Sequence, residues 1–123
     1  MMMNKNNWVE RLIQNIDDKD VEGFLSFLSE DVCFRFGNAE PVNGKATVGD
    51  VVGGFFESIK ALHHDVSDIW QEEGAVICHG IVTYTRHDSS TLTVPFANIF
   101  KLDGDLIREY LIYIDVSELY KTA

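Results

Sequence analysis

From position 63 onward the chain is almost continuous strand, and this constrains the fold more than any other feature. Four segments rich in β-branched and aromatic residues run over 63–72, 76–87, 91–102 and 106–115. Only Glu73-Gly74, Asp88-Ser89-Ser90 and Asp103-Gly104, with a flanking residue or two, separate them. Connections this short join antiparallel neighbours, because a parallel crossover needs a dozen residues or more. Asp-Gly is a strong hairpin dipeptide, since the turn requires positive φ. The second half therefore reads as an antiparallel meander.

The first half is mostly helical. Trp8, Leu12 and Ile16 recur at four-residue steps, and Val9 and Ile13 widen the stripe, so a helix is expected over about 7–16. Asp17-Asp18-Lys19 breaks it, and Asp20 is placed to cap a second short helix whose Phe24, Leu25 and Leu28 face a core. Val32-Cys33-Phe34-Arg35-Phe36 alternates as a strand, and Gly37 to Gly44 reads as a loop. A third helix is expected over about 45–59 with Val48, Val51, Val52, Phe55, Phe56 and Ile59 inward. Gly53-Gly54 within it costs about 1 kcal/mol per glycine relative to alanine, and close packing on another element is the simplest compensation. Helices first and strands after argue for an α+β domain, with helices on one face of a bent sheet. Nothing in the chain marks a second domain, so one domain over 1–123 is expected, with 1–6 as a flexible N-terminus.

Charge narrows the function classes. The net charge is −10, so phosphate backbones and anionic membranes are repelled, and no nucleic-acid partner is expected. No apolar run approaches the roughly 18 residues of a membrane span, and no signal sequence is evident, so a cytoplasmic protein is expected. Cys33 and Cys78 lie in apolar contexts and read as buried thiols, and neither has zinc-site spacing. No Gly-x-Gly-x-x-Gly or phosphate-loop pattern is present, so no cofactor is expected.

Several segments carry a family likeness. They are Ser29-Glu30-Asp31-Val32 before the first strand, Val42-Asn43-Gly44-Lys45 before the third helix, Val94-Pro95-Phe96-Ala97-Asn98-Ile99-Phe100, and Ile112-Tyr113-Ile114-Asp115. In this order and spacing the chain resembles the nuclear transport factor 2-like superfamily, and SnoaL-like polyketide cyclase and ketosteroid isomerase-like proteins in particular. The resemblance implies a cone-shaped, cystatin-like roll: three N-terminal helices packed on a strongly curved antiparallel sheet that encloses a pocket. It also implies a homodimer through the outer sheet face, which would carry Tyr84, Tyr110 and Ile112.

The known chemistries of that superfamily can be tested position by position. An aspartate like that of the epoxide hydrolases falls on Asp115. Their arginine and second aspartate would fall on His79 and Ile81, and their water-holding tyrosine and asparagine on Phe34 and Phe36. Isoleucine and phenylalanine supply neither acid nor base. The ketosteroid isomerase base would fall near Phe36 and its tyrosine near Leu12, so that mechanism is disfavoured too. A SnoaL-like cyclase, isomerase or dehydratase asks only for an acid–base group in a dry pocket, on an apolar carbonyl-bearing substrate. A non-catalytic domain of the same fold, binding a small apolar ligand or dimerising, is the alternative.

Asp115 closes the last apolar run and is the expected acid–base group; a cap on the following turn is its other reading. Strand alternation sets it beside Glu109, Leu111 and Tyr113. His79 is its expected catalytic partner. Asn98, Tyr113, Phe34, Phe36, Phe96, His64 and Trp70 are expected to contact substrate. Tyr84 and Arg86 read as outer-surface groups. His63 and His64, adjacent in a strand, point to opposite faces and cannot easily share a metal, so no metal site is expected.

Overall fold

A computed structural model of the chain describes residues 5–121. The helices are α1 (Lys5–Asp17), α2 (Val21–Leu25) and α3 (Lys45–Glu57). The strands are β1 (Leu28–Phe36), β2 (Val42–Asn43), β3 (Ala61–Glu72), β4 (Ala75–Thr85), β5 (Thr91–Asp103) and β6 (Leu106–Ile114). The flexible N-terminus expected over 1–6 lies mostly outside the described residues, and Lys5 and Asn6 already belong to α1. The 38–44 segment, expected to be loop, contains β2.

All six strands form one curved, unclosed sheet in the order β2-β1-β6-β5-β4-β3. The meander runs β3 to β6 as the turns require. The sheet is mixed rather than wholly antiparallel, because β1 lies parallel to β6. Turn lengths govern only the tight hairpins; β1 reaches β6 across most of the chain, where no turn sets its direction.

The stripe on α1 is the reason this segment is a helix: Trp8, Val9, Leu12, Ile13 and Ile16 are all buried. Asp20 caps α2 by accepting a bond from the Gly23 N–H at 3.0 Å. Lys19, at φ 56°, turns its ammonium onto the end of α3. Its Nζ donates to the carbonyls of Phe56, Ile59 and Lys60 at 3.2, 3.0 and 3.1 Å. A cation is favourable there, where helical carbonyls lack partners. This contact fixes the α1–α2 turn against the start of β3. The tight glycine contact on α3 falls at Gly49, where an added Cβ would press on Leu25; nothing lies within 4 Å of one at Gly54.

Gly80 determines how closely β3 crosses β4. A Cβ there would fall on the Asp65 carbonyl oxygen and lie 2.9 Å from both the Asp65 carbonyl carbon and the Val66 Cα. The register of β3 on β4 shifts between Val66 and Asp68, a bulge that bends the sheet at this point. An aromatic cluster closes one end of the concave side. Trp8, Phe24, Phe34, Phe100 and Tyr110 meet edge-on or tilted, with Phe100 and Tyr110 centroids 4.8 Å apart. Beyond β6 the chain is tied back by Arg86, whose Nε and Nη2 donate to the Leu119 and Glu118 carbonyls. Arg86 is thus a strap for the C-terminal turn, not the outer-surface group expected. Cys78 is buried but Cys33 only half so, and both are free thiols. No helix of the described residues is long and apolar enough to cross a membrane.

Candidate active site

The concave face of the sheet and the three helices enclose a hollow of about 210 Å³. Ile16 of α1, Phe24 of α2, and Val51, Val52, Phe55 and Phe56 of α3 form one side. Phe34 and Phe36 of β1, Leu62 and His64 of β3, Tyr84 of β4, Phe96 and Asn98 of β5, and Tyr110, Ile112 and Ile114 of β6 form the other. Val51, 43% exposed, and Ala39 of the β1–β2 loop mark its open end.

Four polar side chains interrupt this greasy wall. His64 is the most organised. Its Nδ1–H donates to Asp17 Oδ1 at 2.6 Å, and its backbone N–H donates to Asp17 Oδ2 at 3.0 Å. Both side chains are nearly buried, 10% and 13% exposed. Asp17 therefore fixes the ring and its tautomer, and in the neutral imidazole the other nitrogen, Nε2, is the acceptor. The ring stands edge-on to Phe96 at 5.1 Å. Among the described residues Nε2 has no hydrogen-bond partner.

Tyr84 and Tyr110 are buried phenols. Burial, chiefly, pushes the Tyr84 hydroxyl well above its usual range, and Tyr120 and Asp17 act the same way. Burial likewise pushes Tyr110 up, with Cys78 and Tyr84 adding to it. Both remain donors at neutral pH. Asn98, 3% exposed, faces Cys78 across the β4–β5 ladder. Burial raises the Cys78 thiol to about 11, opposed by hydrogen bonds from Asn98. That thiol is protonated and unreactive at neutral pH.

His64, Asn98, Phe34, Phe36 and Phe96 thus stand on the cavity wall. Four other expected site residues do not. Asp115 is exposed, and its Oδ1 accepts the Ser117 N–H at 2.9 Å, which is its capping role. Bonds from the Ser117 backbone and hydroxyl, the largest influences, hold its carboxyl below the ordinary 3.8. An acid–base group at neutral pH needs the opposite shift. Tyr113 is 56% exposed and Trp70 49% exposed, both on the convex face. His79 is there too, stacked on Trp70 at 5.3 Å with Nε2 2.7 Å from Asp68 Oδ2. Conversely, Tyr84, Tyr110 and Ile112, expected on the outer face, line the cavity.

One bulge accounts for the misplaced residues of β6. Counting back from the Asp103-Gly104 turn, Asp103 pairs Leu106 and Leu102 pairs Ile107. An unbroken ladder would then set Asn98 opposite Leu111 and Phe96 opposite Tyr113, with Asp115 inward. The register shifts between Lys101 and Leu102, so Asn98 meets Ile112 and Phe96 meets Ile114. A one-residue slip exchanges the two faces of a strand. Asp17 was missed for another reason: it reads as a helix break, and its role appears only when β3 arrives 47 residues later. Among the described residues no three His, Cys, Asp or Glu side chains gather as a metal site.

Asp115→Asn keeps an oxygen to accept the Ser117 N–H. Any turnover of the variant is expected within about twofold of wild type. The folded-state carboxyl is depressed, so its stabilising contribution is present above the ordinary value of 3.8 and fades as pH falls through the lower folded value. NMR titration of the Asp115 carboxylate checks this, and a midpoint above 3.8 contradicts it.

The fold has close counterparts. The SnoaL-like domain pattern matches residues 9–110, most of the chain. The chain belongs to the SnoaL-like domain family. An NTF2-like protein of unknown function from Burkholderia pseudomallei superposes with a TM-score of 0.85 at 14% identity, over 96% of this chain and 95% of that one. A protein with ketosteroid isomerase-like fold from Catenulispora acidiphila, in complex with trimethylamine, gives 0.83 at 11% identity, over 93% and 89%. A candidate polyketide cyclase from Xanthomonas campestris gives 0.77 at 19% identity, over 92% and 91%. At these identities the likeness is one of fold. No curated protein matches the chain.

Proposed function

We propose that this SnoaL-like domain is an acid–base enzyme for a small, apolar, carbonyl-bearing molecule, of cyclase, isomerase or dehydratase type. One observation carries the reading: an imidazole oriented by a buried carboxylate, with its second nitrogen unpartnered, on the wall of an apolar cavity. His64 Nε2 takes a proton from the carbon next to the carbonyl. The C–H electron pair moves onto the carbonyl oxygen, forming an enolate. Asp17 stabilises the imidazolium that results, and the Tyr84 hydroxyl is suited to hold the enolate oxygen. His64 then returns the proton to carbon or to a leaving hydroxyl. The residues of the chain suffice for this sequence, so no cofactor is invoked.

Exchange of the acidic α-protons of β-tetralone for deuterium tests the step without knowledge of the natural substrate. Protein in deuterium oxide is expected to accelerate the exchange, followed by proton NMR, and His64→Gln to remove the acceleration. Exchange at the buffer rate with wild-type protein contradicts the reading. The almost wholly apolar wall favours a second reading, a non-catalytic carrier of small apolar molecules. Saturable β-tetralone binding without exchange is its signature.

We also propose that a second copy of the chain covers the convex face. Trp70, Ile81 and Tyr113 expose 49%, 44% and 56% of their surface there. The ladders set Tyr113 beside Ala97 and Ile81 beside Pro95, so these side chains share one face, with Asp65 and Asp68 beside them on β3. Equilibrium sedimentation is expected to show a dimer that Ile81→Asp dissociates; a single 13.9 kDa species in the wild type refutes it.

A further inference from the structure

The amide on β5 carries information about the ligand that the histidine does not. Asn98 is 3% exposed, lies on the cavity wall, and its Oδ1 has no hydrogen-bond partner among the described residues. A buried acceptor left unsatisfied is a cost that native structures rarely retain without a reason. Its immediate surroundings are mostly apolar. On the inward face its strand neighbours are Phe96 and Phe100, and across the ladders it meets Cys78 and Ile112. The Asn98 side chain also meets the Cys78 thiol opposite it on β4, yet its Oδ1 makes no hydrogen bond among the described residues. A ligand with an apolar body and one O–H meets both demands: the body packs on the aromatic rings and the hydroxyl supplies the missing donor.

We propose that the cavity is built for a hydroxylated apolar ring compound whose O–H donates to Asn98 Oδ1. The proposal rests on the reading of the hollow as a small-molecule site and narrows its substrate class. A carbonyl alone does not complete the site; a second, hydroxyl-bearing position on the same molecule does. Phe96 lies between the two polar groups, with Asn98 two residues along its strand and His64 against its ring. Residues two apart on one strand face stand about 7 Å apart.

The test compares β-naphthol, a donor, with its methyl ether, which has the same rings and only an acceptor. Isothermal titration calorimetry is run on wild type, Asn98→Leu and His64→Gln. Wild type is expected to bind β-naphthol about tenfold more tightly than the ether, the worth of one satisfied hydrogen bond in a dry site. In Asn98→Leu the two affinities are expected to converge, and in His64→Gln the preference is expected to remain. Where the leucine variant does not fold, Asn98→Ala repeats the comparison. The Asn98 side-chain amide resonance of the wild type needs no variant: it is expected to shift with β-naphthol and not with the ether. Equal wild-type affinities overturn the proposal while leaving acid–base chemistry in the cavity intact. A naphthol preference that survives Asn98→Leu, or tighter binding of the ether, overturns it as well, since the donor then meets another group or the amide presents its NH₂. Failure of both probes to bind overturns this proposal and the small-molecule site together.

Discussion

Replacing His64 with glutamine is expected to slow α-proton exchange of β-tetralone by roughly 10²- to 10⁴-fold, the usual worth of a positioned general base. Glutamine approximates the size of imidazole and can still hydrogen-bond Asp17, so the fold and the cavity are retained and the loss is chemical. Binding of the ketone is expected to change little, so the effect falls on the rate constant and not on the apparent affinity. Asp17→Asn separates positioning from chemistry. In the wild type one carboxylate oxygen accepts the His64 backbone N–H and the other accepts Nδ1–H. An asparagine must keep its oxygen on the backbone N–H, because two donors cannot face one another. Its NH₂ then faces Nδ1, and the ring proton moves to Nε2. The base is lost though the imidazole remains, so exchange is expected to fall nearly as far as in His64→Gln. Unchanged exchange in Asp17→Asn shows that the carboxylate does not set the tautomer.

The second large effect is structural and falls at Gly80. Gly80→Ala adds one methyl group, and it lands on the backbone of Asp65 and Val66. A flexible side chain could move aside; a paired strand moves only by giving up ladder bonds. The expected cost is about 3 kcal/mol, at the upper end for overpacking. For a domain of this size that lowers the unfolding midpoint by roughly 10 °C. Thermal denaturation followed by circular dichroism measures it. A midpoint within a degree or two of wild type contradicts the close crossing of β3 on β4. Because His64 lies on β3 just before the bulge, a folded Gly80→Ala variant is also expected to lose exchange activity.

The architecture was legible because its signals are local. The α1 stripe at Trp8, Leu12 and Ile16, the Asp20 cap and the three tight turns each act within a few residues. The parallel β1–β6 pair had no such signal. The site was legible only in part, for the same reason. Phe96 and Phe100 mark the inward face of β5, whose other face carries Thr91, Thr93 and Pro95, so Asn98 could be set inside. β6 has large apolar residues on both faces, and the bulge at Lys101–Leu102 decides which of them turn inward. Tyr113 and Asp115 went out with it, and Tyr110 and Ile112 went in. Asp17 and His64 are brought together by the Lys19 contact with the end of α3 and by the path of β3, neither of which a motif encodes.

Long-range proton–nitrogen NMR of the His64 imidazole tests the account most directly. In the free protein the neutral ring is expected to carry its proton on Nδ1 and its lone pair on Nε2, with Nε2 shifting on saturation with β-tetralone. A neutral ring with its proton on Nε2, or an Nε2 resonance that ignores the bound ketone, contradicts the account.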